Sequence, residues 1–361
     1  MTTFDRHIIA RLLKGFGFFV ASLILFFIVL HYVEYSDDFF DAGVTLRQTF
    51  LVYYPSYVPE IIRLTSPLAL FLSCIYTTAQ LAQELQLVAL QASGVSLYRL
   101  MRPYVVVGIA VTVFMFGFNG WVVPRTNETV LTYDSKYLGA ASQTVDVSEI
   151  HRQNSPGTVV SVGYYDRSDS TGHRISLQRF AGPSGLASRI DARRMTWVDS
   201  LGVWRLKDAR QRAFDGGTLL ADEDLGTVDT LLNVYPRDFA RTSRDAEAMT
   251  IPVAADYVDA LRRSGASQIG RPLVAYYTKF AYPFANLILV LISVPLASRR
   301  RRGGQAVQFT VGLLTAFVYL AAQKLTEPFG YSGALAPLLT AWLPHAVFAL
   351  FALFLIWRVR K

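Results

Sequence analysis

The chain has 361 residues, of which 52% are hydrophobic and only 17% are charged, and this balance argues against a soluble monomer of such length. Its net charge of +8 requires no nucleic-acid partner, because much of the positive excess flanks apolar stretches, where Lys and Arg set membrane topology. The single cysteine, Cys74, excludes a disulfide or zinc framework.

Six uncharged stretches are long enough to cross a bilayer as helices, since a hydrocarbon core of about 30 Å needs about 20 apolar helical residues. They are residues 16–33, 64–81, 103–123, 280–298, 306–323 and 335–357. The first is long for the apolar region of a signal peptide, and acidic residues follow it in place of a cleavage site. The sequence therefore predicts six membrane-spanning helices.

Basic residues collect on one side of these spans. They precede the first span, separate the second from the third, follow the fourth and end the chain, at Arg6, Arg11, Lys14, Arg99, Arg102, residues 299–302, Arg358, Arg360 and Lys361. The opposite short loops are acidic and contain one basic residue, Arg47. Because Lys and Arg are retained on the cytoplasmic side of short loops, we expect both termini in the cytoplasm and the long insertion outside.

The insertion between the third and fourth spans has the pattern of β-strands. Alternating runs separated by Gly, Pro, Asp and Ser cover residues 158–165, 174–180, 193–198, 203–209 and 227–234. This spacing predicts antiparallel strands arranged as a sandwich, jelly roll or barrel. Residues 251–264 have helical spacing and are followed by Gly265, which predicts a short helix leading back to the membrane. His151 and His173 lack metal-ligand spacing, so we interpret them as ordinary surface or turn residues.

These elements predict an α+β integral membrane protein in three parts. Residues 1–124 contain spans one to three, residues 125–270 contain the β domain and its connecting helix, and residues 271–361 contain spans four to six. No pair of residues in the β domain indicates catalysis, so we expect it to bind or dock.

The loop between spans two and three, residues 81–102, predicts a short amphipathic helix over about residues 82–93. Glu84 would lie near the start of this helix, where the helix dipole favours an acid, and Gly94 suits the left-handed conformation that ends a helix. Its apolar residues are Leu81, Leu85, Val88, Ala89 and Ala92. A loop helix with a solvated glutamate is the simpler interpretation of these residues alone. A helix that inserts into a cytoplasmic partner is the alternative.

At these residues the sequence resembles the LptF/LptG family of lipopolysaccharide export permeases. The matching words are Phe-Asp-Arg-His at 4–7, where the family has Leu-Asp-Arg-Tyr, Gln-Glu-Leu at 83–85, Gln-Ala-Ser-Gly at 91–94, Trp-Val-Val-Pro at 121–124, Pro337, and Trp-Leu-Pro at 342–344. Each word is short, but their order and placement over nearly the whole chain are specific. Residues 32–38, 329–330 and 342–344 resemble LptG more than LptF.

The resemblance implies a permease subunit of an ABC transporter in the bacterial inner membrane, paired with an LptF-like paralogue and driven by a cytoplasmic LptB-like ATPase dimer. The chain itself has no Gly-x-x-x-x-Gly-Lys-Ser/Thr loop, so we expect no catalytic site and no cofactor here, with ATP used by the partner. Glu84 and Leu85 would contact the ATPase, and Gly94 would set the turn that aims the coupling helix.

The resemblance also implies a route for the lipid. Spans one and five would form lateral gates with the paralogue, and lipopolysaccharide would be extracted from the outer leaflet. The β domain would be a periplasmic jelly roll that passes the lipid to LptC-like and LptA-like bridge proteins, by addition of edge strands.

Cations near the outer ends of the helices are expected to meet the phosphate groups of such a glycolipid. Arg63, Arg125 and Lys324 occupy these positions, and His31 matches a residue that is typically lysine in LptG. A histidine with an ordinary pKa is mostly neutral near pH 7, which does not favour a fixed phosphate clamp at His31. The other interpretation is that these cations anchor helix ends or pair with Glu34, Glu60 or Glu327.

Two other functions are compatible with the layout of the chain. It could be a mechanotransmitting protein, linked to an ABC ATPase, that moves no lipid itself. It could instead be a membrane-anchored assembly or sensor protein without an ATPase, in which case replacement of Glu84 would leave its function unchanged. Neither accounts for both the coupling segment and the matching residues around the sixth span.

Overall fold

The computed structural model describes residues 2–137, 150–155, 157–166, 169–180, 185–199, 201–215, 218–234, 248–263, 269–298 and 304–358. Before the β domain the helices are α1 (Thr3–Asp41), α2 (Leu46–Gln48), α3 (Tyr54–Gln83), α4 (Gln86–Ala92), α5 (Leu97–Gly117) and α6 (Val123–Tyr137). After it they are α7 (Ile251–Arg263), α8 (Gly270–Ala281), α9 (Phe284–Ala297), α10 (Gly304–Tyr331) and α11 (Pro337–Arg358). Single π-helical turns, Thr49–Tyr53 and Phe118–Val122, join α2 to α3 and α5 to α6.

The strands are β1 (Ile150–Ser155), β2 (Thr158–Asp166), β3 (Thr171–Phe180), β4 (Leu186–Val198), β5 (Val203–Asp215) and β6 (Thr218–Thr230). The chain divides into two compact units. One contains α1–α6 and α8–α11, and the other contains β1–β6 with all but the first two residues of α7.

Five helical segments of the described chain are long and apolar enough to cross a membrane: α1, Leu46–Gln83, Leu97–Tyr133, α10 and α11. The predicted fourth span is a bent pair, because α8 and α9 meet at 51°. The bend lies at Tyr282 and Pro283, where proline lacks an amide hydrogen and disfavours helical geometry in the preceding residue. With this pair counted as one span, the predicted α+β membrane fold is confirmed.

The core of the helical unit is built on two sides of α3. On one side, Leu70 and Cys74 pack with buried residues of α1, α4, α5 and α9. On the other side, Phe71 and Ile75 pack with α9, α10 and α11. Large apolar side chains such as Phe317 stay exposed on the outer surface, as expected where lipid replaces water.

The start of α8 packs on the end of α10 with no room for a side chain. A Cβ atom at Gly270 would lie 2.6 Å from the carbonyl oxygen of Gly330 and 2.7 Å from that of Tyr331. Because these are backbone atoms, they cannot rotate away. We expect Gly270→Ala to lower the free energy of unfolding by about 1–3 kcal/mol, measured by thermal unfolding in detergent.

The matched control for this change is Gly117→Ala, because a Cβ atom at Gly117 would meet nothing within 4 Å. The same substitution there should be neutral or slightly stabilising, since alanine favours a helix over glycine. Equal melting temperatures for the two variants would contradict the close packing of α8 on α10.

The six described strands form one antiparallel sheet in the order β1-β2-β3-β4-β5-β6. The predicted antiparallel β domain is therefore confirmed. Its strand order differs from a jelly roll, which has two sheets and crossing connections, whereas here each described strand pairs with the next in sequence. Trp204 is fully buried in the core of the sheet, and its Nε1 donates to the carbonyl of Val234 at 2.6 Å.

Ion pairs between neighbouring strands accompany the backbone ladder. Arg205 of β5 donates to Asp229 of β6 at 2.7 and 2.8 Å, and this hydrogen bonding holds the pKa of Asp229 below its ordinary value. Arg210 pairs with Asp222 across the same two strands. His173 lies opposite Tyr164, and in the described residues no group of three or more His, Cys, Asp or Glu is placed to hold a metal ion.

Candidate functional site

A polar pocket lies between helices of the membrane unit, with a volume of about 60 Å³. This is room for a compact group of the size of a few water molecules. Its charged side chains come from α3, α8 and α10, and they are Glu60, Arg63, Lys279, Lys324 and Glu327. Asn119, Asn127 and Tyr331 add polar groups to the wall. Charges inside a membrane bundle are costly, so their convergence makes this pocket the candidate functional site.

Arg63 is held in one orientation. Its Nε donates to Glu60 Oε2 at 2.8 Å, and its Nη2 donates to the other carboxylate oxygen. The two side chains are 18% and 15% exposed. The guanidinium also lies 5.3 Å from the ring centre of Tyr282, whose hydroxyl donates to the carbonyl of Leu64 at 3.0 Å. A bidentate pair and an aromatic face therefore orient this cation.

Lys324 is the accessible cation of the pocket. Its Nζ lies 2.8 Å from Glu327 Oε1, one turn along α10, and its side chain is 66% exposed. Glu327 is more enclosed, and its second oxygen accepts from the Tyr331 hydroxyl at 3.0 Å. The lysine can therefore change partner while its carboxylate stays in place.

Lys279 is the third cation, and it is only 5% exposed. Its backbone carbonyl accepts from Asn119 Nδ2 at 3.0 Å, which ties α8 to the π-helical turn after α5. Three cations and two carboxylates leave the pocket with one excess positive charge. In a site of low dielectric constant this excess favours a compact anion.

A second site lies in the loop between α3 and α5. Glu84 accepts from Gln80 Nε2 and from Gln86 Nε2, each at 2.8 Å. Leu85 has a left-handed backbone with a φ of 58°, and it is 48% exposed. Val88 in the next helix is 55% exposed. The loop therefore exposes a carboxylate beside apolar side chains, a combination that suits a protein partner.

The short helix begins later than predicted. α3 continues to Gln83, and the left-handed Leu85 separates it from α4, which starts at Gln86 instead of about residue 82. The break lets Leu87 become the buried residue of α4. Gly94 has a φ of 85°, and the amides of Gly94 and Val95 donate to Gln91 and Leu90, each at 3.0 Å. This is the left-handed helix end expected of Gly94.

Residues 6–358 match the model of the family described as "Lipopolysaccharide export system permease LptF/LptG". The chain belongs to the LptF/LptG family. It is 21% identical over 304 residues to the lipopolysaccharide export system permease protein LptG of Escherichia coli (strain K12), with 83% of each chain covered. The LptG protein of Escherichia coli O6:H1 (strain CFT073) gives the same identity and coverage. The family predicted from the matching words is confirmed.

In this LptF/LptG family member, two of the four lipid-binding candidates chosen from the sequence meet. Arg63 and Lys324 both line the polar pocket, whereas His31 and Arg125 do not. Arg125 is exposed on α6. The charged pocket residue that sequence reasoning missed is Lys279, which directly precedes the fourth apolar stretch. Its proximity to Pro283, where the span bends, was the available signal.

His31 of this family member lies in a cage of tyrosines. The rings of Tyr35, Tyr53, Tyr54 and Tyr57 surround it with centre-to-centre distances of 4.6 to 5.8 Å. Its Nδ1 is 3.3 Å from the Tyr54 hydroxyl, and its Nε2 is 3.4 Å from the Tyr53 hydroxyl. Both ring nitrogens therefore have tyrosine partners, and the imidazole holds α1 against α3.

Proposed function

We propose that the protein is an LptG-type permease subunit of an ABC transporter, which extracts lipopolysaccharide from the outer leaflet of the inner membrane. The observation that supports this best is the polar pocket of three cations and two carboxylates between the spans of an LptF/LptG family member. In this proposal both termini are cytoplasmic and the β domain is periplasmic. The collection of basic residues on one side of the spans supports that orientation.

The pocket would receive an anionic group of the lipid, such as a phosphate. Lys324, at 66% exposure, would meet the anion first and exchange Glu327 for it. Arg63 and Lys279 are more enclosed and would supply the remaining positive field. Exchange of a carboxylate for a phosphate keeps the lysine paired throughout, so no cation is left without a counter-ion.

ATP would be hydrolysed by a separate LptB-like dimer, and this chain would bind no cofactor. Glu84 and the exposed Leu85 would dock into that ATPase. An LptF-like paralogue would cover the exposed apolar surfaces of α1 and α10, where Phe18 and Phe317 are 67% and 68% exposed. These two helices would form the gates for the lipid.

The β domain would pass the lipid to LptC-like and LptA-like bridge proteins. β1 and β6 form the two edges of the described sheet, and a strand of a similar domain can add to such an edge through backbone hydrogen bonds. Residues along β6 are almost all exposed, which leaves that edge accessible in the described chain.

Purification from the native membrane in mild detergent, followed by mass spectrometry, tests the proposal. We expect a paralogous six-span subunit, a soluble ABC ATPase and a lipopolysaccharide-type lipid to co-purify. Recovery with an ATPase but without lipid would favour a mechanotransmitting protein. Recovery with neither, under conditions that preserve a known ABC complex, would favour an assembly or sensor protein.

Lys324→Glu should reduce the lipid that co-purifies with the complex. Loss of one charged hydrogen bond to a phosphate costs about 1.5–3 kcal/mol, so we expect about tenfold less bound lipid at limiting concentration. The matched control is Arg47→Glu, which reverses an exposed cation of α2 that does not line the pocket. Equal losses in the two variants, measured by lipid mass spectrometry, would contradict a specific role for Lys324.

A further inference from the structure

A chain of hydrogen bonds links Glu84 to α1. Arg11 of α1 donates from Nη2 to Gln80 Oε1, and Gln80 Nε2 donates to Glu84 Oε1 at 2.8 Å. The other carboxylate oxygen of Glu84 accepts from Gln86, the first residue of α4, at 2.8 Å. One carboxylate thus connects α4 to the end of α3 and, through a single glutamine, to α1.

The primary amide of Gln80 suits both of its hydrogen-bond partners. Its neighbours are a guanidinium, which only donates, and a carboxylate, which only accepts. A primary amide offers its oxygen to the first and its nitrogen to the second. Both hydrogen bonds are charge-assisted, and each polarises the amide in the direction that strengthens the other. A glutamate or an aliphatic residue at this position would break at least one of the two bonds.

The helices joined by this bridge also touch closely along the next turns. Ser73 of α3 donates from Oγ to the carbonyl of Leu12 at 2.8 Å. A Cβ atom at Gly15 would lie 2.4 Å from that same Oγ, so only the small side chain of Ser73 separates the two backbones. Ile8 and Leu12 are fully buried in the same contact. The first turns of α1 and the end of α3 therefore form one tightly packed region.

Beyond this region α1 packs loosely along its apolar stretch, and it contacts α3 and the preceding π-helical turn again near its other end, where His31 lies among tyrosines and Phe39 is buried. None of the residues in its 18-residue apolar window is buried, although the helix runs without a break from Thr3 to Asp41. A helix of this length spans about 58 Å at 1.5 Å per residue. Displacement of its packed start is therefore transmitted along a continuous helix whose apolar window has no buried residue.

We propose that Gln80 is a positioning residue that transmits displacement of Glu84 to α1, with Arg11 as the receiving group. The inference rests on the proposed function, because it takes Glu84 as the contact with the ATPase. Engagement of Glu84 pulls on the Gln80 amide, the amide pulls on the Arg11 guanidinium, and α1 moves with it.

The test uses the complete complex of this chain with its paralogue and ATPase, reconstituted in vesicles with lipopolysaccharide. In Gln80→Met, complex recovery and ATP turnover should be retained, while the lipid released per ATP hydrolysed falls about fivefold, within the range of pairwise coupling energies. Arg11→Met should have the same effect. The double variant should be no worse than either single variant, because both substitutions interrupt one chain of bonds.

Two control variants separate this role from a structural one. Arg11→Lys keeps a cationic donor and should retain more transport per ATP than Arg11→Met. Lys14→Met removes an exposed cation from the same helix and should leave the ratio unchanged. If the Gln80→Met complex does not assemble, Gln80→Glu is assayed in its place. The glutamate keeps an acceptor for Arg11 but repels Glu84, so the lipid released per ATP should fall by the same factor.

An unchanged ratio of lipid to ATP in Gln80→Met, or in Gln80→Glu where that variant is used, overturns the inference. So does strict additivity of the Arg11 and Gln80 substitutions. Failure of the proposed function gives a different result, because Glu84→Ala would then leave ATPase docking and transport unchanged. If Glu84→Ala uncouples the complex and Gln80→Met does not, only the inference about Gln80 fails.

Discussion

Replacement of Glu84 by alanine is expected to weaken recovery of the cytoplasmic ATPase with this chain and to lower lipid release. Truncating one partner of a hydrogen-bonded charge pair in an interface typically costs about 2–5 kcal/mol, which corresponds to a loss of affinity of about thirtyfold or more. The measurement is the apparent affinity of the purified ATPase for the detergent-solubilised permease pair, together with lipid release from vesicles.

Glu84→Gln separates the charge of Glu84 from its shape. The amide keeps one oxygen as an acceptor but loses the charge, and its nitrogen faces one of the two amide donors, Gln80 or Gln86. We therefore expect an intermediate loss. Glu128→Ala, which removes an exposed acid from α6, should have no effect on ATPase affinity. Normal affinity and normal transport in Glu84→Ala would exclude Glu84 as the ATPase contact.

Replacement of Glu60 by leucine is expected to destabilise the helical unit by about 3–5 kcal/mol, because it leaves the Arg63 guanidinium enclosed without its carboxylate. Both side chains of this pair are less than one-fifth exposed. Thermal unfolding of the purified complex in detergent measures the loss. The matched control is Lys324→Met, which removes the mostly exposed partner of Glu327. This change should lower the free energy of unfolding by about 1 kcal/mol or less.

The double variant Glu60→Leu with Arg63→Met decides whether the uncompensated charge is the cause. Removal of both partners leaves neither charge of this pair without its counter-ion, so the double variant should be more stable than Glu60→Leu alone. A double variant that is less stable by the sum of the two single losses would show that the two side chains contribute through separate packing contacts.

Apolar stretch length and the period-2 alternation predicted most of the element types. A bilayer-spanning helix needs a fixed number of apolar residues, and a half-exposed strand alternates between two environments, so both leave a local signal. These signals do not contain strand order or helix bends. The meander order of β1 to β6 and the 51° bend between α8 and α9 depend on which surfaces meet after folding.

The residues of the candidate site also divide into those that the sequence predicted and those that only the structure revealed. Arg63 and Lys324 were found from the sequence because a cation at the end of an apolar stretch is visible along the chain. Lys279 was missed, since only the bend at Pro283 and the packing of α8 against the π-helical turn after α5 place it in the pocket. The late start of α4 was missed as well, because a left-handed Leu85 opposes its intrinsic backbone preference.

The sequence by itself determined that this protein spans a membrane, that it carries an inserted antiparallel β domain, and that it belongs with the LptF/LptG permeases. Composition, periodicity and short ordered motifs are properties of the linear chain. Only the tertiary structure decided that five charges from three helices share one pocket and that Arg11, Gln80 and Glu84 form one chain of hydrogen bonds. Arg11 and Gln80 are 69 residues apart, and no local pattern encodes which distant side chains a packed helix crossing brings together.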